Sequence, residues 1–204
     1  MLGPLTDTIH GVVNFTWPML IISIVIMVSV RLTYLIKEKQ KIVIHKELLM
    51  LSFAIYILCL FQVVTLQDDV TWSSNNFIPF REIFRYSITD RLFWKNVIGN
   101  MIMFLPFGFF ISYYLKVEKI TLPLILTLVA SIAVEFVQMC IGRVFDVDDI
   151  ILNILGGLLG YFVYWILKSI SMKLPKFCKN EWFLNILSVL VFSGVMIVLA
   201  LILI

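Results

Sequence analysis

Long apolar runs dominate this chain, and short polar segments separate them. A helix that crosses the hydrocarbon core of a bilayer needs about 20 mostly apolar residues. Six runs approach or reach that length: 11–30, 48–66, 96–115, 120–141, 150–167 and 182–204. The pattern therefore predicts an all-α fold, a polytopic transmembrane helix bundle of about six spanning helices.

Composition favours the same class of protein. Of 204 residues, 61% are apolar and 14% are charged, which is more apolar surface than a water-soluble domain of this size could bury. No Gly/Ser linker or internal repeat divides the chain, so residues 1–204 are interpreted as a single integral membrane domain. The net charge of +3 is too small to favour nucleic-acid binding.

The distribution of Lys and Arg predicts the orientation of the helices. Eleven of the 16 Lys and Arg residues lie in three alternate loops, 31–47, 116–119 and 168–181. Cytoplasmic loops carry the excess of these residues. We therefore expect both termini to lie outside, together with the loops 67–95 and 142–149.

Polar side chains inside the predicted spans gather at one depth. At a rise of 1.5 Å per residue, Asn100, Glu135 and Asn153 lie roughly 7, 9 and 6 Å from the outer ends of their helices. Each has a polar neighbour three or four positions away, which shares its helix face. These neighbours are Asn96, Gln138 and Asp149. Because polar groups are costly in lipid, their common depth favours a site over chance.

The loop before the fifth helix adds Arg143, Asp146 and Asp148, so the sequence predicts an outward-facing acidic pocket. Three structural alternatives stay open for its members. Asp149 could cap the fifth helix. Glu135 and Arg143 could form an ion pair. The whole cluster could be polar contacts that hold helices together.

Glycines and prolines mark further structural positions. Gly156 and Gly160 form a GxxxG spacing that lets another backbone approach closely, either within the chain or in a dimer. Pro106 and Gly108 interrupt the third helix and predict a kink beside the acidic cluster. The outer loop contains Pro79 within an aromatic stretch, which favours an interfacial or partly re-entrant position.

Several chemistries lack their usual residues. The two histidines, His10 and His45, lie far from the acidic cluster in the sequence, which disfavours a histidine-based lipid phosphatase. There is no P-loop and no GxSxG motif for nucleotide-driven transport or acyl-enzyme chemistry. No cofactor is evident. Carboxylate and amide oxygens permit a hard divalent cation such as Mg²⁺ without indicating one.

The same residues resemble the VanZ-like membrane family. The stretch from Asn76 through Pro79 to Phe80 is similar to that family's outer-loop Asn-Leu-Ile-Pro-Phe segment, with Phe77 in place of Leu. Asn100, Phe104, Pro106 and Gly108 match its Asn-x-x-x-Phe-x-Pro-x-Gly helix. The remaining matches are Glu135, Gln138, Arg143, Asp146, Asp149, Asn153, Gly156 and Gly160. The resemblance covers a core of about residues 76–165.

This resemblance implies a protein of the bacterial cytoplasmic membrane, some of whose relatives lower susceptibility to teicoplanin and related glycopeptides. Our leading hypothesis is that the pocket engages a lipid, a lipid-linked cell-wall precursor or the antibiotic. Arg143 would pair with a phosphate or carboxylate, while the acids would bind a cation or amine. The eight candidate binding residues are Asn76, Asn100, Glu135, Gln138, Arg143, Asp146, Asp149 and Asn153.

Two other function classes remain open at this stage. One is a membrane enzyme that modifies a polyprenyl or glycolipid substrate, with one carboxylate as the base. The other is a small transporter or assembly partner, in which Glu135 couples or docks. The sequence decides neither whether a reaction occurs nor the oligomeric state.

Overall fold

The computed structural model describes residues 3–65, 75–87 and 89–203, which contain six α-helices and no β-strand. The helices are α1 Gly3–Lys37, α2 Ile44–Thr65, α3 Gly99–Tyr114, α4 Thr121–Cys140, α5 Val147–Lys173 and α6 Glu181–Leu203. Short 3₁₀ turns cover Ile83–Arg85 and Lys176–Lys179, and a π-helical stretch, Phe93–Ile98, leads directly into α3. The predicted all-α class is confirmed.

Four of these helical segments are long and apolar enough to cross a membrane: Ile44–Thr65, Phe93–Tyr114, Thr121–Cys140 and Val147–Lys173. The chain therefore has the helices of a multi-pass membrane protein. In α6 the described apolar stretch is shorter, Glu181–Val195. The first predicted span, 11–30, lies within α1, but the side chains of residues 11–17 fall outside the described ones.

One compact unit contains Met1–Thr8 and Val63–Ser169, and within it glycines allow close packing of α5. A methyl group on Gly156 would overlap the Met101 carbonyl of α3, and one on Gly160 would overlap the Leu105 carbonyl. From the α3 side, Gly108 faces the backbone of Gly157 in the same way. Both glycines of the GxxxG spacing thus contact α3 of the same chain. Pro106 lies inside α3, which remains helical through it.

A second compact unit contains residues 9–62 and 170–204. Its polar contacts gather near the segment that joins α1 to α2. Arg31 donates two hydrogen bonds to the Glu47 carboxylate, at 2.8 and 3.0 Å. The backbone N–H of His45 donates to Asn185 Oδ1 at 3.0 Å, and Lys41 pairs with Glu181 at 2.5 Å. These contacts tie the ends of α1, α2 and α6 together.

The glycine contacts predict a specific packing defect. Gly156→Ala places a methyl group against backbone atoms of α3, which cannot move aside as a flexible side chain could. Overpacking of this kind costs about 1–3 kcal/mol, so we expect a clearly lower midpoint of thermal unfolding in detergent. Gly194→Ala is the matched control, because nothing lies within 4 Å of a Cβ at that helical position. Equal midpoints for the two variants would contradict the described packing.

Candidate functional site

A short backbone bridge joins the loop between α4 and α5 to residues 75–87, which precede α3 and are called the outer segment below. The Asn76 N–H donates to the Phe145 carbonyl at 2.9 Å, and the Val147 N–H donates to the Asn76 carbonyl at 3.1 Å. The buried Asn76 side chain completes the link, since Nδ2 donates to Asp146 Oδ1 at 2.9 Å and Oδ1 accepts from the Ile78 N–H at 3.1 Å. Asn76 therefore fixes the two segments to each other.

Asp146 occupies the N-cap position of α5. Its Oδ1 accepts the Asp148 N–H at 2.8 Å, which satisfies one of the free backbone donors of the first turn. This is the role that the sequence suggested for Asp149. Burial raises the pKa of Asp146 above its ordinary value, while hydrogen bonds from the Asp148 N–H and the Asn76 amide act in the opposite direction. The cap also places the start of α5 at Val147 instead of residue 150.

Asp148 holds the outer segment; the sequence placed it in the acidic cluster but not among the eight candidate binding residues. Its side chain is 1% exposed, and its carboxylate accepts three backbone N–H groups. Phe80 donates to Oδ1 at 2.5 Å, while Glu82 and Ile83 donate to Oδ2 at 2.6 and 3.2 Å. The dense run of acids around position 148 was the signal in the sequence. Its partners could not be recognised, because backbone donors leave no pattern of side chains.

Glu135, Gln138 and Arg143 form a chain of hydrogen bonds that leads from the buried helix to the loop. Glu135 is 1% exposed, and its Oε2 accepts the Asp146 N–H at 3.0 Å. When the Gln138 amide is oriented to satisfy both of its ends, Nε2 donates to Glu135 Oε1 and Oε1 accepts from Arg143 Nη1, each at 3.0 Å. Among the described ion pairs none joins Glu135 to Arg143 directly. Gln138 connects them instead.

Asn100 and Asp149 connect α3 to α5. Asn100 Nδ2 donates to Asp149 Oδ1 at 2.5 Å, and both side chains are partly buried. Asn96, which shares a face with Asn100, donates instead to the Tyr86 hydroxyl at 3.2 Å. Asn100 thus contacts the acidic cluster through one carboxylate, that of Asp149. This contact lies between α3 and α5, the two helices that the glycines hold close together.

A deeper polar contact lies between α4 and α5. Asn153 Nδ2 donates to Ser131 Oγ at 3.0 Å, and both residues are at most 1% exposed. Asn153 Oδ1 and Thr127 Oγ1 have no hydrogen-bond partner among the described residues. Thr127, Ser131 and Glu135 recur every four residues, so one face of α4 carries buried polar groups downward from the site. Asn153 of α5 therefore contacts this polar face of α4.

The buried carboxylates are directed toward N–H donors. In the described residues, no group of three His, Cys, Asp or Glu side chains is arranged to hold a metal ion.

Arg143 differs from these buried acceptors, because it is a partly exposed donor. Its guanidinium N–H groups can be satisfied only by anions or other acceptors. The arrangement is therefore suited to hold the Arg143 guanidinium in one orientation at the surface of a buried polar network.

The family model described as VanZ/LLP1 matches residues 53–168, which is more than half of the chain. The chain belongs to the VanZ/LLP1 family. All eight candidate site residues of this VanZ/LLP1 member lie inside the matched range, and so does most of α2, which the motifs in the sequence had not included. Neither a curated protein nor a solved structure matches the chain significantly.

The raised pKa of Asp146 predicts a pH-dependent contribution to stability. Between about pH 4 and its folded-state pKa, the folded protein binds the Asp146 proton more tightly than the unfolded chain does. Stability therefore falls as pH rises through this window. Asp146→Asn keeps an Oδ1 acceptor for Asn76 and Asp148 but removes this titration, so we expect a smaller fall in unfolding temperature from pH 4 to pH 7.

The control for this measurement is Asp90→Asn, because Asp90 is exposed. Its pH profile should follow that of the wild-type protein. An Asp146→Asn profile parallel to the wild type would show that the burial of Asp146 does not affect stability in this range.

Proposed function

We propose that this VanZ/LLP1 member binds an anionic head group through Arg143. The head group would belong to a membrane lipid or a lipid-linked cell-wall precursor, or would be presented by a glycopeptide at the same surface. Occupancy of the site would reduce access of glycopeptides such as teicoplanin to their target. The single observation that supports this proposal most is the held guanidinium of Arg143.

Arg143 combines a fixed orientation with remaining hydrogen-bonding capacity. Gln138 Oε1 holds Nη1 at 3.0 Å, which is the one guanidinium hydrogen bond among the described contacts, and a guanidinium carries further N–H donors. A planar guanidinium binds phosphate or carboxylate oxygens in pairs, which a lysine ammonium cannot do. Gly142, with φ of +89°, forms the turn that presents Arg143 directly after α4. Only glycine adopts this conformation readily.

In this proposal Glu135 is a positioning residue. Its carboxylate accepts from both Asp146 and Gln138, so the Gln138 amide must keep its oxygen toward Arg143. In Glu135→Gln the new amide oxygen can face only one of the two donors, so when it keeps the Asp146 N–H its NH₂ group faces the Gln138 NH₂ group. If Gln138 turns over to relieve this conflict, it presents a donor to Arg143. Loss of one buried charge would therefore misdirect the guanidinium without removing it.

Family membership and charge distribution together support a location and an orientation. We infer from the family resemblance that the protein lies in the bacterial cytoplasmic membrane. The excess of Lys and Arg in the loops 31–47, 116–119 and 168–181 supports an orientation with both termini outside. The network at the junction of α4 and α5 would then face outward, toward the leaflet in which cell-wall precursors are used. This placement supports a role in the envelope and needs its own test.

Reporter fusions test the orientation. Alkaline phosphatase fused after Ile204 should be active, because it folds only outside the cytoplasmic membrane, and a green fluorescent protein at the same position should be dark. Fusions after Lys119, in the α3–α4 loop, should give the reverse result. A fluorescent C-terminal fusion would place the terminus, and thus α6, opposite to the proposal.

Teicoplanin susceptibility tests the function. One bacterial host carries empty vector, wild type, Arg143→Gln, Arg143→Lys, Glu135→Gln or Asp149→Asn, with membrane levels matched by immunoblot. We expect the wild type to raise the minimum inhibitory concentration severalfold. Arg143→Gln should abolish the increase, and Arg143→Lys should retain only part of it, because the paired geometry is lost. Glu135→Gln should resemble Arg143→Gln.

Glu118→Gln is the matched control, because Glu118 is exposed in the α3–α4 loop, away from the network. It should protect as well as the wild type does. If the wild type gives no protection, the resistance proposal fails for this chain. If Arg143→Gln and Glu135→Gln protect fully at equal abundance, the network is structural.

A further inference from the structure

The segment before α3 exposes large apolar side chains although it lies outside the spanning helices. Relative exposures are 66% for Phe77, 60% for Ile78, 49% for Phe80 and 81% for Phe84. The exposed apolar faces of the spanning helices contact lipid, whereas this turn is not part of any spanning helix. An exposed apolar patch of this kind marks an interaction surface.

The segment is held in place mainly through its backbone, and the exposed side chains of Ile78, Phe80 and Phe84 are not needed for those hydrogen bonds. Three of its backbone N–H groups bind the buried Asp148 carboxylate, and Phe80 adopts φ of +67°, which is uncommon for a bulky residue. The Phe77 ring lies 5.4 Å from the Phe145 ring of the α4–α5 loop, centroid to centroid. The apolar side chains are thus presented by a fixed backbone.

The position of the segment identifies what covers it. Asp148, its anchor, lies in the first turn of the spanning helix α5, and the span Phe93–Tyr114 begins a few residues further along the chain. The exposed side chains therefore lie next to the first turn of a helix long and apolar enough to span a membrane, and such helices leave the hydrocarbon core at the level of their ends. Aromatic and aliphatic side chains at this level are typical of the membrane–water interface.

Two arginines accompany the aromatic residues. Arg81 is exposed, and its guanidinium makes no described ion pair or hydrogen bond, whereas Arg85 pairs with Glu82 at 3.0 Å. Long arginine side chains at the interface extend their charged ends toward phosphate while their stems cover apolar surface. The charge of Arg81 is thus complementary to the phosphate layer that any phospholipid leaflet supplies.

We propose that residues 77–85 insert into the lipid–water interface of the membrane that the helices cross. Phe77, Ile78, Phe80 and Phe84 enter the outer edge of the acyl region, and Arg81 binds lipid phosphate. Asp148 is the positioning residue that fixes the backbone of this segment. The proposal does not depend on head-group binding by Arg143, because it concerns bulk lipid and a different set of side chains.

Depth-dependent fluorescence quenching tests the insertion. Cys59, Cys140 and Cys178 are replaced by Ser in the full chain, and Phe84→Cys is labelled with a polarity-sensitive fluorophore in phosphatidylcholine nanodiscs. We expect blue-shifted emission and severalfold stronger quenching by phospholipid with a nitroxide near the top of its acyl chain than by aqueous iodide. A label at Ile78→Cys gives a second reading if the first variant does not fold.

The control label is Thr89→Cys, an exposed polar position between residues 77–85 and α3, where iodide should quench more strongly. Iodide quenching at position 84 equal to that at position 89 would place the loop in water and overturn the proposal. Protection from both quenchers would show that protein covers the patch, which also overturns it. Arg81→Gln should reduce lipid quenching at position 84 severalfold and Arg81→Lys should restore most of it; no effect of Arg81→Gln overturns the phosphate contact.

Discussion

Two carboxylates that are almost completely buried, those of Glu135 and Asp148, determine how the loops around them are arranged. A carboxylate removed from water must accept hydrogen bonds, or its burial becomes very costly. Glu135 takes the N–H of Asp146, and Asp148 takes three N–H groups of the segment before α3. Each acid therefore fixes a stretch of backbone. The hydrogen bonds to these two carboxylates therefore determine the backbone conformation of the α4–α5 loop and of the outer segment.

The helix packing below the loops serves the same arrangement. Glycines bring α5 so close to α3 that a short asparagine side chain reaches across, and Asn100 contacts Asp149 at 2.5 Å. On the other side of α5, Asn153 meets Ser131 of α4. Small residues set the distance, and polar side chains then fix how the helices are aligned along their length. In lipid, where apolar side chains gain little from leaving their solvent, this combination is the main source of specific helix contacts.

The sequence predicted the helices and the family, because long apolar runs and widely spaced motifs depend on side chains alone. The face rule paired positions on the same helix, such as Asn96 with Asn100, whereas the contact between Asn100 and Asp149 joins two helices. The sequence did not reveal the role of Asp148, whose partners are backbone groups more than 60 residues earlier in the chain. Nor did it reveal that Gln138 stands between Glu135 and Arg143, since spacing cannot distinguish a direct ion pair from a bridged one. The start of α5 differed by three residues for a local reason, the cap provided by Asp146.

The way in which Asp148 holds the outer segment has a consequence for how this protein can vary. Its carboxylate contacts main-chain N–H groups, so the side chains at positions 80, 82 and 83 are free to vary, except that proline lacks the donor and that the φ of +67° at position 80 disfavours β-branched residues. Insertion or deletion of a single residue between these positions would break the alignment of all three donors. We therefore expect the segment to tolerate substitution far better than a change of length. Its surface chemistry can diverge among homologues while its backbone geometry stays the same.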